Sequence, residues 1–275
     1  MNIINIANKV LRAKGNLLNI NFEVNGKLYN AFVPDDQLFG AIKDILLNRE
    51  YEYLPEFELS KFDGKSVVDA GAHVGLFSLL ASTFAKKVIS LEPHPVNFKL
   101  LQLNLNTNGI RNVIPINKAL WSESKNLTLF EGEHTGAHTV LKNVNNKRFN
   151  VSSTTLSEII DEFGEIDLLK MDMEGAEFEV LNKLNGKIAA NIKNMIVECH
   201  LEAGDIGQLE MSLKERMGFH VGWFLQPLVK RKFSYQIKLK DLASLKVFRK
   251  LVYTLANIVG AKDNTLAILF ARREK

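Results

Sequence analysis

Two spacings of apolar residues alternate along this chain. Where every second residue is apolar the pattern predicts a strand, and where apolar residues fall three and four apart it predicts a helix. The first helical spacing is Ile3, Ile6, Ala7, Val10 and Leu11. Two alternating runs, LLNINFEV and KLYNAFV, then flank Asn25-Gly26. That dipeptide suits the left-handed residues of a two-residue hairpin turn. Residues 37–48 read as a helix. On this reading residues 1–60 form an N-terminal accessory layer of helix and β-hairpin.

From residue 61 onward, strands and helices alternate. SVVDAG is a strand running into a glycine loop, LFSLLASTFA a helix and KVISLE a strand. PVNFKLLQLNLNTNG is a helix closed by Gly109. NVIPIN is a strand, and LTLF and TVLKN are short extra strands. STTLSEIIDEFG is a helix with a Ser or Thr cap, followed by the strand IDLLKM. EFEVLNKLNG, NMIVECH and IGQLEMSLKERMG read as helix, strand and helix, and HVGWFL and TLAILFA as the last two strands. Alternation with short turns predicts an α/β fold, a mostly parallel sheet wound on both faces, over residues 61–275.

Composition narrows the class. Hydrophobic residues make up 46% and charged residues 24%, the balance of a soluble globular chain. No apolar run approaches the roughly 18 residues of a spanning helix, and the N-terminus lacks a signal-peptide pattern. Cys199 is the sole cysteine, which excludes an intramolecular disulfide and fits a reducing, cytoplasmic compartment. The net charge of +4 permits an anionic partner without requiring one. Its most lopsided region is an insertion at about 226–264, with Lys230, Arg231, Lys232, Lys238, Lys240, Lys246, Arg249, Lys250 and Lys262 against Asp241 and Asp263. It reads either as a holder for a phosphorylated or nucleic-acid substrate, or as a solvated helical face over Leu239, Leu242, Leu245 and Phe248.

The candidate chemistry lies at strand ends. In VVDAGAHVGLFS, Asp69, Gly71, His73 and Gly75 form a loop between strand and helix. Its glycines allow a close backbone approach to a ligand. The G-x-G-x-x-G pattern of a dinucleotide site is missing, so an NAD-dependent oxidoreductase is disfavoured. The next strand ends in Glu92-Pro93, and a carboxylate there suits the paired donors of two ribose hydroxyls. A nucleoside with a small, non-pyrophosphate tail fits this pair, S-adenosylmethionine among such ligands, with Asp69 meeting its cationic end directly or through water. Asn117 and Ala119 follow the third strand and are positioned toward an adenine. His94 is either an adenine neighbour or a turn residue, and Trp121 either a pocket wall or core.

The stretch KMDMEGAEFEV holds four carboxylates, Asp172, Glu174, Glu177 and Glu179, within eight positions. Asp172 ends a core strand, and Lys170 shares its sheet face. Glu198 and His200 end the next core strand. These residues, with Glu174, are the acid/base candidates. Glu177 and Glu179 read as solvated or capping carboxylates of a helix start, which the helix dipole favours. No tight ligand spacing marks a metal site; His134, His138, His200, Asp172 and Glu198 would form one only if the fold gathered them.

The segments VVDAGAHVGLFS, ISLEPHPVNFKLLQLNLNTNG, INKALWSES, IDLLKMDMEGAEFEVL and IKNMIVECH resemble those of FkbM-family S-adenosylmethionine-dependent methyltransferases. They span residues 65–200, about half the chain, and KMDMEGAE is the most specific of them. His73 stands where the family pattern usually has Asn. The resemblance implies a seven-stranded class I methyltransferase sheet with an antiparallel last strand. It also implies O-methylation of a hydroxyl on a small molecule or glycan. An RNA methyltransferase using the basic insertion, and a non-catalytic methyltransferase-like binding protein, are the alternatives.

Overall fold

The computed structural model describes residues 17–37, 40–132, 136–141, 147–225, 237–238 and 266–273. The helix predicted over residues 3–11, His134 and nearly all of the basic insertion lie outside them. Among the described residues no helix is long and apolar enough to cross a membrane.

Strands β1 (Leu17–Val24) and β2 (Lys27–Pro34) pair in full antiparallel register. The turn works because Asn25 and Gly26 both take positive φ, 48° and 76°. The helix predicted over 37–48 is shorter than its sequence pattern. It starts after Gly40 as a wide π-type turn segment, Ile42–Asn48, and stops where Arg49 turns left-handed at φ 50°. The tight turns Glu50–Glu52, Pro55–Phe57 and Leu59–Phe62 then lead into the sheet.

The elements that follow are β3 (Ser66–Ala70), α1 (Leu76–Ala81), β4 (Lys87–Leu91), α2 (Pro95–Thr107) and β5 (Val113–Ile116). Next come β6 (Ala119–Leu120), β7 (Asn126–Phe130), β8 (Arg148–Thr154), α3 (Leu156–Phe163) and β9 (Leu168–Met171). The chain continues with α4 (Ala176–Asn182), α5 (Gly186–Ala189), β10 (Asn194–His200), α6 (Ile206–Met211) and β11 (His220–Leu225). Two further strands are β12 (Ile237–Lys238), which pairs with β1, and β13 (Leu266–Arg272).

Seven strands form the central sheet in the order β11-β13-β10-β9-β3-β4-β5. β13 is antiparallel to both neighbours, while the pairs from β10 to β5 are parallel. This is the doubly wound α/β sheet with one reversed strand that the sequence predicts. Every residue of β3 is buried, as expected for a parallel strand covered on both faces. Val67 joins the hydrophobic core shared by the hairpin, α1 and α2, and Val68 joins the core under α3 to α6.

β8, which the sequence pattern does not announce, pairs with β6 and β7 in a small second sheet. Of TVLKN, the described residues 139–141 form no strand; Thr139 makes only an isolated bridge to Phe130. The cap of α3 is Thr155, reciprocated by Glu158 in a capping box.

Two asparagines of α2 tie the hairpin down. Asn108 Oδ1 accepts from Asn30 N at 2.8 Å and its Nδ2 donates to Asn30 O at 2.7 Å. One turn earlier, Asn104 does the same with Phe32, at 2.7 and 3.0 Å. Four helical residues rise about 6 Å, close to the advance of two strand residues. The two carboxamides therefore serve as a substitute strand along the β2 edge, satisfying polar groups that would otherwise be left open.

Candidate active site

A cavity of about 190 Å³ opens at the carboxyl ends of the central strands. The chain leaves β3 toward β4 on one side and β9 toward β10 on the other, so this is the point where strand order reverses. Open α/β sheets bind their ligands there. Gly71, His73, Glu92 and Pro93 line one flank, and Lys170, Asp172, Glu174 and Glu198 the other. Asp44, Glu50 and Tyr51, from the N-terminal layer, also reach the cavity.

Backbone contact shapes the first flank. Gly71 has φ 77°, and a Cβ there would stand 1.8 Å from the Asp172 carbonyl oxygen. Only glycine lets the loop after β3 pass so near the end of β9. His73 is also left-handed, at φ 51°. His and Asn both tolerate that region better than most residues, which explains how His replaces the usual Asn. His73 N donates to Glu92 Oε2 and His94 N to Glu92 Oε1, each at 2.8 Å. Burial nevertheless pushes the Glu92 carboxyl up to about 8, against the pull of those two amides.

The second flank rests on a buried ion pair. Lys170 Nζ lies 3.2 Å from Asp69 Oδ1 and 3.8 Å from Asp172 Oδ2, and donates to Gly71 O at 3.0 Å. Burial works to discharge the ammonium, but Asp69 and Asp172 outweigh it and hold Lys170 above its ordinary range. Asp69 Oδ2 accepts from Ser78 Oγ at 2.6 Å.

Tyr51 Oη lies 3.0 Å from Asp172 Oδ2 and 2.8 Å from Glu198 Oε2. Burial, then the nearby Asp172 and Glu198 charges, push its phenol well above the usual value. Burial raises Asp44 to about 6, with Lys43 opposing. Glu198 is driven well above the carboxylate range by burial first and by Asp172 second.

Beyond Asp172 lies a charge cluster. His200 Nε2 is 3.3 Å from Glu174 Oε2, and Nδ1 is 3.3 Å from Glu177 Oε1. Burial alone would lower His200, but the two carboxylates overcome it and hold the imidazolium up to about 12. Ligand atoms of Asp172, Glu174 and His200 fall within 4.8 Å of one another. His200 pairs with Glu174 and Glu177, and an ion would join this group only by displacing the imidazole proton. Glu174 is left-handed at φ 55°, a strained backbone at the cavity wall.

Of the residues predicted from sequence, Gly71, His73, Glu92, Pro93, Ala119, Lys170, Asp172, Glu174 and Glu198 all line this cavity. Four predicted residues stand behind the lining. Asp69 is fully buried, with Oδ2 on Ser78 and Oδ1 beside Lys170. Gly75 opens α1, where a Cβ would meet Leu101 Cδ1 at 2.4 Å, so glycine permits the close packing of α1 on α2. Asn117 Nδ2 donates to the carbonyls of Glu92 and Pro93 at 2.7 and 3.0 Å and so fixes the loop. His200 sits between Glu174 and Glu177.

Several undecided residues are now placed. Trp121 lines the cavity, while His94 caps α2 and stacks on His138 with ring centroids 4.0 Å apart. Glu177 is fully buried, accepts from Met173 N at 2.5 Å and pairs with His200, so it is neither solvated nor the cap of α4, whose N-cap is Gly175. Glu179 is the half-exposed helix-face carboxylate expected, paired with Lys183. Tyr51 and Asp44 escaped the sequence reading, because no periodicity or motif in residues 37–60 links them to a strand end far along the chain.

Residues 69–221, more than half of the chain, match the profile of the methyltransferase FkbM domain. The methyltransferase sdnD of Sordaria araneosa is 29% identical over 195 residues, covering 56% of this chain and 73% of that protein. Methyltransferase 1 of Beauveria bassiana (strain ARSEF 2860) is 26% identical over 206 residues, covering 65% and 80%. The solved methyltransferase FkbM from Methylobacillus flagellatus KT aligns at 18% identity with a TM-score of 0.39, over 57% of this chain and 39% of that one. This chain thus spans well under half the length of that structure. The matched segment runs from Asp69 to the start of β11 and carries both flanks of the cavity, although Tyr51 and Asp44 lie before it. The chain belongs to the FkbM methyltransferase family.

Proposed function

We propose that this protein transfers the methyl group of S-adenosylmethionine to a hydroxyl of a small molecule or sugar. The observation that carries the reading is one cavity with two chemically different ends. At one end is a single carboxylate, Glu92 at the end of β4, held by an amide of the glycine loop. At the other is a pair of carboxylates joined by a phenol.

The donor set suits the cofactor. Each Glu92 oxygen accepts one backbone amide and keeps a further lone pair, enough for two adjacent ribose hydroxyls. Pro93, Ala119 and Trp121 offer an apolar wall for a base. S-adenosylmethionine, when bound, supplies a methyl group activated by its sulfonium.

The chain's own residues supply alignment and a proton acceptor. Methyl transfer is an in-line displacement, so positioning accounts for much of the rate. A neutral hydroxyl is a weak nucleophile, and Asp172 is the cavity carboxylate best placed to take its proton. Lys170 holds Asp172 from below and Tyr51 from the side. The N-terminal layer thereby completes the site instead of merely covering it.

The lining also bears on the acceptor. Asp44, Glu50, Glu92, Asp172, Glu174 and Glu198 face the cavity against the single cation Lys170 among the described lining residues. Burial favours the neutral form of Glu92, Glu174 and Glu198, so the lining is polar with few full charges and suits a neutral hydroxyl compound. The sole cysteine, buried in β10, suits a reducing, cytoplasmic setting.

Incubating the purified protein with methyl-labelled S-adenosylmethionine and a panel of sugars, amino sugars, phenols and RNA tests the assignment. Label on a hydroxyl of a small acceptor supports it, and label on RNA alone overturns it.

A further inference from the structure

We propose that Tyr51 bridges Asp172 and Glu198 so that the two carboxyl groups share one proton and the pair carries a single negative charge. Counting hydrogens leads there. Tyr51 Oη is 3.0 Å from Asp172 Oδ2 and 2.8 Å from Glu198 Oε2, both hydrogen-bond distances. A phenol owns one hydrogen and can point it along only one of these lines. Were both carboxyl groups ionised, the other line would bring two bare acceptor oxygens together, inside a buried site where repulsion is poorly screened. One additional proton removes the conflict.

Its place follows from the surroundings. Glu198 is 7% exposed, whereas the Asp172 side chain is 27% exposed with the Lys170 ammonium 3.8 Å away. The negative charge is better placed on Asp172. Glu198 then donates to Tyr51, and Tyr51 donates to Asp172. The charged and titratable groups around Glu198 agree: Asp44 from the N-terminal layer and Asp172 from the end of β9 add negative charge, and Glu50 adds it around Tyr51. Lys170 and His200 balance it only in part. Burial, the largest influence on Glu198, works in the same direction.

Tyr51 is therefore a positioning residue that orients the base, and Glu198 sets the direction of the bridge. In turnover the hydroxyl proton of the acceptor would pass to Asp172 as the acceptor oxygen bonds the methyl carbon, whose bond to the sulfonium sulfur breaks to leave a neutral thioether. Asp172 later returns that proton to solvent. The role of Asp172 rests on the methyl-transfer reading; the shared proton does not.

Infrared difference spectroscopy on the full-length protein near neutral pH reads the proton directly. The wild-type minus Glu198→Gln spectrum should contain the carbonyl stretch of a protonated carboxyl group. Tyr51→Phe, which keeps the ring packed on Phe77, should shift that band. Absence of the band, or a band indifferent to Tyr51→Phe, would overturn the bridge. A band lost in Asp172→Asn and kept in Glu198→Gln would put the proton on the wrong partner and equally overturn it. Melting curves of each variant confirm that the compared proteins are folded. The expected band in a protein that binds no cofactor upholds the shared proton and overturns only the methyl-transfer reading.

Discussion

Lys170 and Asp69 stand opposite each other on the paired strands β9 and β3, with Lys170 Nζ 3.2 Å from Asp69 Oδ1 and side chains 2% and 0% exposed. Neither charge has water to fall back on. Removing one partner strands the other, which costs about 3–5 kcal/mol in buried pairs. Lys170→Met should therefore lower unfolding free energy by about that amount in urea. The exposed pair Lys193–Glu165 provides the contrast, since Lys193 also bonds Asp167 at the surface. Lys193→Met should cost no more than about 1 kcal/mol. Equal losses would contradict the assignment of Lys170 as the structural counter-charge of the site.

Gly71 tests the close approach of the loop to β9. Gly71→Ala drives a Cβ into the Asp172 carbonyl, whereas Gly109, also at positive φ, has nothing within 4 Å. Gly109→Ala should cost only its backbone strain, about 1–2 kcal/mol. Gly71→Ala should lower the melting temperature further and also weaken S-adenosylhomocysteine binding in calorimetry. Unchanged binding would mean that the loop is not part of the cofactor site.

Glu92 makes both stability and binding depend on pH. Its folded pKa is raised from 4.5 to about 8. Its share of stability is thus fully present below the unfolded value and is lost as pH rises through the folded one. Glu92→Gln should flatten the decline of unfolding free energy between those two values. Only the ionised carboxyl accepts two hydroxyl donors freely, so S-adenosylhomocysteine affinity should rise with pH toward 8 and binding should release protons. Calorimetry in buffers of different ionisation enthalpy measures that release. Affinity that falls over this interval would contradict the ribose role.

Asp172→Asn should leave cofactor affinity nearly unchanged while turnover on an accepted hydroxyl compound falls by about 10²–10⁴-fold. Turnover within a few fold of wild type would remove Asp172 as the base.

The sheet and most of the cavity were legible in the chain because they obey local rules. Parallel strands buried on both faces read as apolar runs, and their carboxyl ends announce Gly71, Glu92 and Asp172 through turn and charge chemistry. β8 stayed hidden because Arg148, Asn150 and Ser152 face solvent and only Phe149 and Val151 supply apolar alternation. Asp69 was legible as a functional position but not as a buried partner of Lys170, since strand register across β3 and β9 decides that. Tyr51 was not legible at all. It is 121 residues from Asp172 in sequence, and tertiary packing of its segment, Tyr51 on Phe77 and Phe57 on Phe270, brings it over the strand ends.

Calorimetric titration of the purified chain with S-adenosylmethionine and S-adenosylhomocysteine tests the account at its root. Saturable binding of one molecule per chain is expected, weakened by Gly71→Ala and by Glu92→Gln. A protein that melts cooperatively, yet gives no binding heat and no shift in melting temperature with either compound, would contradict it.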